Sequence, residues 1–250
     1  MEGSTASLPL SSRSNRKRRS AIMAGAVLHQ SVYRRGIGLL GGTFDPIHNG
    51  HLAVAQGALR ELRLARVDFV PAPCPWQKDV LTPITRRIEM IQAAIETEPL
   101  MGVNLCEALR PGPTYTIDTL RELRNALGSS LPLVLIVGAD QWENFHTWKS
   151  WHRLLEFAHI ALCNRSCRKP LARADVEAWA GPRKVAPHRL TDSPCGGITE
   201  FSIPPHEANS SRIRRVFSTK NRYEALRELE PWLPVRVAAL ISRHNIYSLA

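Results

Sequence analysis

The chain has 250 residues, 44% of them hydrophobic and 22% charged, a globular balance that excludes a mostly disordered chain, a collagen-like repeat and a disulfide-stapled miniprotein. At this length roughly 70% of the extended-chain surface can be buried, so a full core forms without cross-links, in one large domain or two small ones. Lys and Arg number 33 against 22 Asp and Glu, a formal charge of +11 that suits a polyanionic ligand, either a nucleotide or a nucleic acid.

Part of that charge is local. Residues 1–22 hold Arg13, Arg16, Lys17, Arg18 and Arg19 against the single acid Glu2, so this stretch carries +4 and the remainder +7. It lacks the apolar run of a secretory signal. Its Ser and Arg content suggests an organellar transit peptide, but apolar residues are too sparse for an amphipathic helix. A basic arm for nucleic acid and a true start at Met23 are the other readings. We expect residues 1–35 to form a disordered basic extension and 36–250 a single domain.

From Gly36 the pattern becomes regular. "GIGLL" (36–40) reads as a buried strand ending in the turn Gly41–Gly42. Leu52, Ala55, Leu59 and Leu62 have helical spacing over 50–62, and "ARVDFVP" (65–71) is a strand stopped by proline. Thr82 caps a helix whose first residue is Pro83. "VNLCE" (103–107) is a short strand, and Thr116 caps a helix with the apolar stripe Ile117, Leu120, Leu123 and Leu127. "LVLIVG" (133–138) is the most hydrophobic strand and is expected at the centre. The apolar run that contains it, 131–139, is about half the ~20 residues that span a bilayer, so no membrane partner is expected. "WHRLLEFA" is helical, "HIALCN" (159–164) a strand, and 165–197 loop-rich around a helix near "ADVEAWA". "GITEFSI" (197–203) alternates like a strand, "SSRIRRVF" opens a helix after a Ser cap, and "PVRVAALISRH" (234–244) is the last element.

Strands that alternate with helices imply an α/β fold: a doubly wound, Rossmann-like parallel sheet with helices on both faces. Ligands in such sheets bind at the carboxyl ends of the strands, where the strand order reverses. The five cysteines (Cys74, Cys106, Cys163, Cys167 and Cys195) include no CxxC pair, and are read as free thiols of a reducing cytoplasm and not as a zinc site.

The strongest chemical signal is "GGTFDPIHNGH" (41–51), between the first strand and the first helix. Its glycines let backbone approach a ligand closely, and the helix start offers N–H groups and partial positive charge to a phosphate. His48 and His51, three apart, share one face there and can donate hydrogen bonds to phosphate oxygens. Neither the dinucleotide GxGxxG nor the Walker spacing is present. His146, His152, His159, His188, His206 and His244 have no ligand spacing and are read as surface or core residues. Asp140, at a strand end, can bind a ribose hydroxyl or cap a helix. Trp142 and Trp148 are core or stacking residues.

This segment resembles the HxGH signature of the nucleotidylyltransferase superfamily, whose fold is shared with class I aminoacyl-tRNA synthetases. The fuller string is similar to the nicotinate-nucleotide adenylyltransferase family. "PWQK" (75–78), "EALRPGPTYTIDTL" (107–120), "IVGADQWENFHTW" (136–148) and "LPVRVAALISRHNIY" (233–247) agree with it, so the resemblance covers about 36–247. One motif departs: the family's ISSTxIR stands here as "ANSSRIR" (208–214), with Asn209 for the first Ser and Ser211 for the Thr. Ser166 stands where the family has proline after Arg165.

The resemblance implies adenylyl transfer from ATP to nicotinate mononucleotide in NAD biosynthesis, in the cytoplasm, with Mg2+ entering on ATP and no metal held by protein ligands. It implies His48 and His51 as catalytic residues. Gly41, Gly42, Thr43, Phe44, Gly50, Gly138, Asp140, Arg165, Ser210, Ser211 and Arg214 would hold ATP and its phosphates. Lys78, Tyr115, Thr116, Trp142 and Trp148 would hold the mononucleotide. The alternatives are the same chemistry on nicotinamide mononucleotide or phosphopantetheine, and a non-enzymatic RNA-binding module, for which no aromatic-interleaved basic stretch is evident. No nucleic-acid partner is expected. Oligomeric state is open, a homo-oligomer included.

Overall fold

The computed structural model describes residues 35–73, 82–165 and 171–247. The basic extension through residue 34, Cys74, Lys78 and Cys167 lie outside the described residues. β1 (Ile37–Gly42), β2 (Arg66–Pro71), β3 (Met101–Val103), β4 (Leu133–Gly138), β5 (His159–Asn164) and β6 (Ile198–Ser202) form one sheet. Every pairing is parallel, in the order β3-β2-β1-β4-β5-β6. The order reverses between β1 and β4, so the crevice expected to take a ligand opens at the carboxyl ends of these two strands.

The strands read as continuous apolar runs because both faces are covered. On β4, Val134 and Ile136 enter one core, while Leu133, Leu135 and Val137 enter the other. The first core packs under α1 (Asn49–Glu61), α2 (Ile84–Ala94), α6 (Ser210–Thr219), α7 (Arg222–Leu229) and α8 (Val235–Arg243). The second packs under α3 (Thr116–Leu127), the short α4 (Ala139–Glu143) and α5 (Ala174–Ala180), with a 3-10 segment over Trp151–Glu156.

Four boundaries differ from expectation. The cap of α2 is Pro83, with Ile84 first in the helix, and the cap of α3 is Tyr115, in extended conformation, with Thr116 first. α6 is capped not by Ser but by Asn209, whose side-chain oxygen accepts from the Arg212 N–H at 3.1 Å. The departure from the ISSTxIR pattern at this position therefore retains a strong capping residue. β3 falls at 101–103 rather than 103–107, because Val67 pairs with Met101 and Asn104 then turns the chain to accept the Cys106 N–H at 3.0 Å.

Candidate active site

The turn after β1 is held from several sides. Phe44 has a positive φ of 51°, a left-handed conformation that costs a non-glycine residue about 1–2 kcal/mol. Burial offsets this: the ring is 2% exposed and packs edge-on against Phe69 and His51. A Cβ on Gly42 would sit 2.8 Å from that ring, so glycine is needed where the turn closes. Arg87, 1% exposed, donates to four backbone carbonyls: Thr43 at 2.7 Å, Ala72 and Pro73 at 2.8 Å, and Thr82 at 3.0 Å. It ties the turn to the chain that leaves β2. Asp45 is buried; its carboxylate accepts the Tyr247 hydroxyl and its carbonyl accepts Arg214 Nη1 at 2.7 Å.

His48 is the cap of α1, and its N–H donates to His51 Nδ1 at 3.3 Å. That bond makes His51 Nδ1 an acceptor, so the proton of the neutral ring sits on Nε2. The two imidazoles stack with centroids 3.8 Å apart. Burial pushes the His48 pKa down to about 3, and Arg165 and His206 act in the same direction. His48 is therefore neutral near pH 7 and acts as a hydrogen-bonding dipole rather than a cation. Its Nδ1 is buried with no hydrogen-bond partner among the described residues. A buried unpaired polar atom costs about 1–3 kcal/mol, which a polar ligand group at this atom would relieve. A Cβ on Gly50 would lie 3.1 Å from this ring, which explains the glycine between the histidines.

A cleft of about 500 Å³ opens beside the turn at the switch point. Gly41, Gly42 and Thr43 bound it on one side, Tyr115, Thr116 and Trp148 on the other, with Asp140, Glu107 and Lys149 on its walls. The histidine pair does not line this cleft, so the turn separates two regions, one with the imidazoles and one with the aromatics. Trp148 is half-buried against Phe145 and keeps surface toward the cleft.

Of the remaining expected residues, Ser210 Oγ donates to the Pro46 carbonyl at 3.0 Å, and Ser211 Oγ accepts Arg214 Nη2 at 3.3 Å. The Ser210 hydroxyl thus binds α6 to the turn directly, while Ser211 contacts Arg214 of the same helix, whose other nitrogen reaches the Asp45 carbonyl. Arg165, just past β5, has Nη2 3.7 Å from where a Gly138 Cβ would stand. Trp142 requires a correction. It is 1% exposed, packs on Phe145 and donates its indole N–H to Glu177 at 2.9 Å, so it is a core residue with no face toward the cleft.

The sequence reading missed several residues. His206, which has no ligand spacing in the sequence, places its Nδ1 3.5 Å from the Gly50 Cβ position, beside the histidine pair. Glu107 lines the cleft and accepts the Thr119 hydroxyl at 2.7 Å, while Arg110 donates to the same hydroxyl at 3.0 Å and to Glu122 at 2.6 Å. This network fastens the loop that presents Tyr115 and Thr116 to α3. Burial pushes the Glu107 carboxyl up from its ordinary value. Only the "EALRPGPTYTIDTL" spacing hinted at it, since Glu107 and Thr119 meet across a helix start.

The buried histidines set a pH dependence of stability. Burial holds His48 and His159 below their ordinary value of 6.5. Below that pH the unfolded chain binds protons that the native chain refuses. Their contribution is complete above the unfolded value and is lost as pH falls, for His48 down to about 3. The raised Asp68 and Glu107 carboxyls tilt the other way, so the test is a difference. Between about pH 7 and pH 5, Tm of His159→Gln should change less steeply than that of the unaltered chain. Parallel slopes would contradict the reading.

No helix among the described residues is long and apolar enough to cross a membrane, and none of them form a group of three or more His, Cys, Asp or Glu suited to a metal ion. A cytidylyltransferase-like family model matches residues 39–216. The chain is 38% identical over 212 residues to a Bordetella petrii protein named "Probable nicotinate-nucleotide adenylyltransferase", covering 84% of this chain and 98% of the relative. It is 31% identical over 214 residues to a Marinomonas protein of the same name, covering 85% and 94%. The fold is similar to that of the Plasmodium falciparum nicotinic acid mononucleotide adenylyltransferase complexed with NaAD, with a TM-score of 0.65 and 17% identity over 84% of this chain and 96% of that one.

Proposed function

The chain belongs to the cytidylyltransferase-like family and, within it, to the nicotinate-nucleotide adenylyltransferases, and we propose on that basis how its site joins ATP to nicotinate mononucleotide. The products are nicotinic acid adenine dinucleotide and pyrophosphate, a step of NAD biosynthesis. The observation that carries the reading is the juxtaposition of a rigid, imidazole-bearing turn with an aromatic cleft at the reversal of strand order.

A mononucleotide phosphate oxygen attacks the α-phosphorus of ATP. One P–O bond forms, the bond to the bridging oxygen breaks, and pyrophosphate leaves with its electron pair. The nucleophile is already ionised, so no side chain needs to remove a proton. Catalysis is positioning and charge stabilisation. His48 and His51 donate to the transferring phosphoryl group and the leaving oxygens. Gly41, Gly42, Thr43, Phe44 and Gly50 shape the turn around the phosphates. Arg165, Ser211 and Arg214 extend the donors toward the β- and γ-phosphates, and Ser210, whose hydroxyl is spent on Pro46, offers its N–H at the start of α6. Asp140 and Gly138 meet the ribose, and Lys78 the acceptor phosphate.

The donors at the turn are imidazoles, guanidinium groups and hydroxyls, which suit phosphate oxygens rather than a bare cation. Magnesium carried on those oxygens fits this set, because it keeps most of its waters and needs few protein ligands. When bound it neutralises phosphate charge. The catalytic unit is residues 36–250, with 1–35 outside it. Three free thiols among the described residues, two of them buried, suit a reducing compartment such as the cytoplasm.

In the cleft, Trp148 stacks on the pyridine ring and the start of α3 at Tyr115–Thr116 receives the carboxylate. A helix start offers N–H groups and partial positive charge, which a carboxylate satisfies and a carboxamide NH2 does not. A mismatched buried polar group costs about 1–3 kcal/mol, so kcat/KM should favour the acid mononucleotide over the amide by roughly tenfold or more. Pyrophosphate release measured with nicotinate mononucleotide, nicotinamide mononucleotide and phosphopantetheine decides this. Equal rates with acid and amide would reject acid recognition and leave adenylyl transfer standing.

A further inference from the structure

We propose that Lys149 is a specificity-determining residue, supplying the charge by which the cleft prefers an anionic pyridine acceptor to its neutral amide. The inference rests on the reading that this cleft takes the acid mononucleotide. Among the described residues that line it, the charged ones are Glu107, Asp140 and Lys149. Two are carboxyls, which offer an anionic acceptor no attraction; Lys149 is the cation.

Its position is set by two contacts. Nζ stands 4.3 Å from the centroid of the Tyr115 ring and 3.1 Å from Asp118 Oδ2. Tyr115 caps α3 and Asp118 lies in its first turn, so the ammonium sits over the helix start that receives the carboxylate. Asp118 is a liability there, because a carboxylate in the first turn opposes a second one brought to the same helix end. Arg121 already offsets it, donating to Oδ1 at 3.1 Å. The Lys149 charge is therefore surplus to the pair, and the cluster of Asp118, Arg121 and Lys149 carries one net positive charge on the cleft side. Trp148, the neighbouring residue, lines the same cleft, so ring and charge arrive on consecutive residues.

The side chain of Lys149 is 50% exposed, so its field is partly screened and its effect on binding is moderate and salt-dependent. A structural role would act on both acceptors alike; a charge acts on the acid alone. The test compares kcat/KM for nicotinate and nicotinamide mononucleotides in the full chain, in Lys149→Met and in Lys149→Arg. Met retains an unbranched stem against Tyr115 without the charge, and Arg restores the charge. We expect Lys149→Met to lower kcat/KM for the acid about three- to tenfold and to leave the amide within about twofold, the effect shrinking between about 50 mM and 500 mM salt. Lys149→Arg should retain the native ratio. An equal fall with both acceptors, or an unchanged acid-to-amide ratio in Lys149→Met while the native chain prefers the acid, overturns the role of Lys149 alone. A native chain indifferent to acid and amide overturns the acid-site reading, and this inference with it.

Discussion

Alanine at His48 or at His51 is expected to lower kcat by about two to three orders of magnitude with the fold intact, the loss typical of removing one donor aimed at developing charge. The geometry makes each imidazole depend on the other. His51 is oriented by the His48 N–H at 3.3 Å, and the rings stack at 3.8 Å. Two stacked imidazoles cannot both be charged cheaply, and burial holds His48 neutral, with a pKa of about 3. On the proposed mechanism the pair would work by oriented N–H dipoles, which need no reorganisation when charge builds on the phosphoryl oxygens. A second consequence separates this from an imidazolium mechanism: kcat should show no titration attributable to His48 near its ordinary value of 6.5. His48→Asn, which retains a side-chain donor, should recover part of the loss. Near-normal turnover in both alanine variants would remove the histidines from the chemistry.

Arg214→Ala should reduce kcat/KM for ATP by roughly ten- to a hundredfold while changing KM for the mononucleotide by less than about threefold. Arg214 spends two donors inside the protein, on the Asp45 carbonyl and on Ser211 Oγ, and retains others of its planar fork for phosphate. Its loss removes charge from the phosphate end and unpins Asp45, which is 1% exposed in the middle of the turn. A hydrogen bond from a charged donor is worth about 1.5–3 kcal/mol, the range that gives this fold-change. Lys at 214 should rescue poorly, since an ammonium cannot reproduce the fork. Steady-state KM values for both substrates are the measurement. A change confined to the acceptor would place Arg214 at the other end of the site.

The double-wound sheet was legible in the sequence because burial on both faces writes itself as unbroken apolar runs. β4 and β5 have the expected bounds, 133–138 and 159–164. Helix starts slipped by one residue at Pro83 and Tyr115 because a cap is a matter of backbone angles, which Thr82 and Thr116 satisfy equally well on paper. α7 was missed because its sequence buries only Ala225 and Leu229, too few positions to produce a stripe. The histidine pair could be found because both rings come from one helix turn, so their spacing is local.

What the sequence determined by itself is what short-range physics controls: the strand–turn–helix at 36–61, the shared face of His48 and His51 at the helix start, the alternation that makes the sheet parallel, and the family resemblance those segments carry. What the tertiary structure decided depends on chain segments that meet only after folding. Tyr247 reaches the Asp45 carboxylate across 202 positions, and Arg214 reaches its carbonyl across 169. His206 comes to Gly50 from the far side of the sheet order, and Trp142 and Trp148, six residues apart, divide between core and cleft because a 3-10 turn over Phe145–Thr147 separates α4 from the extended residue Trp148. Packing at the strand ends selects among side chains that composition and periodicity cannot tell apart, and that selection sets which of them line the cleft and which join the core.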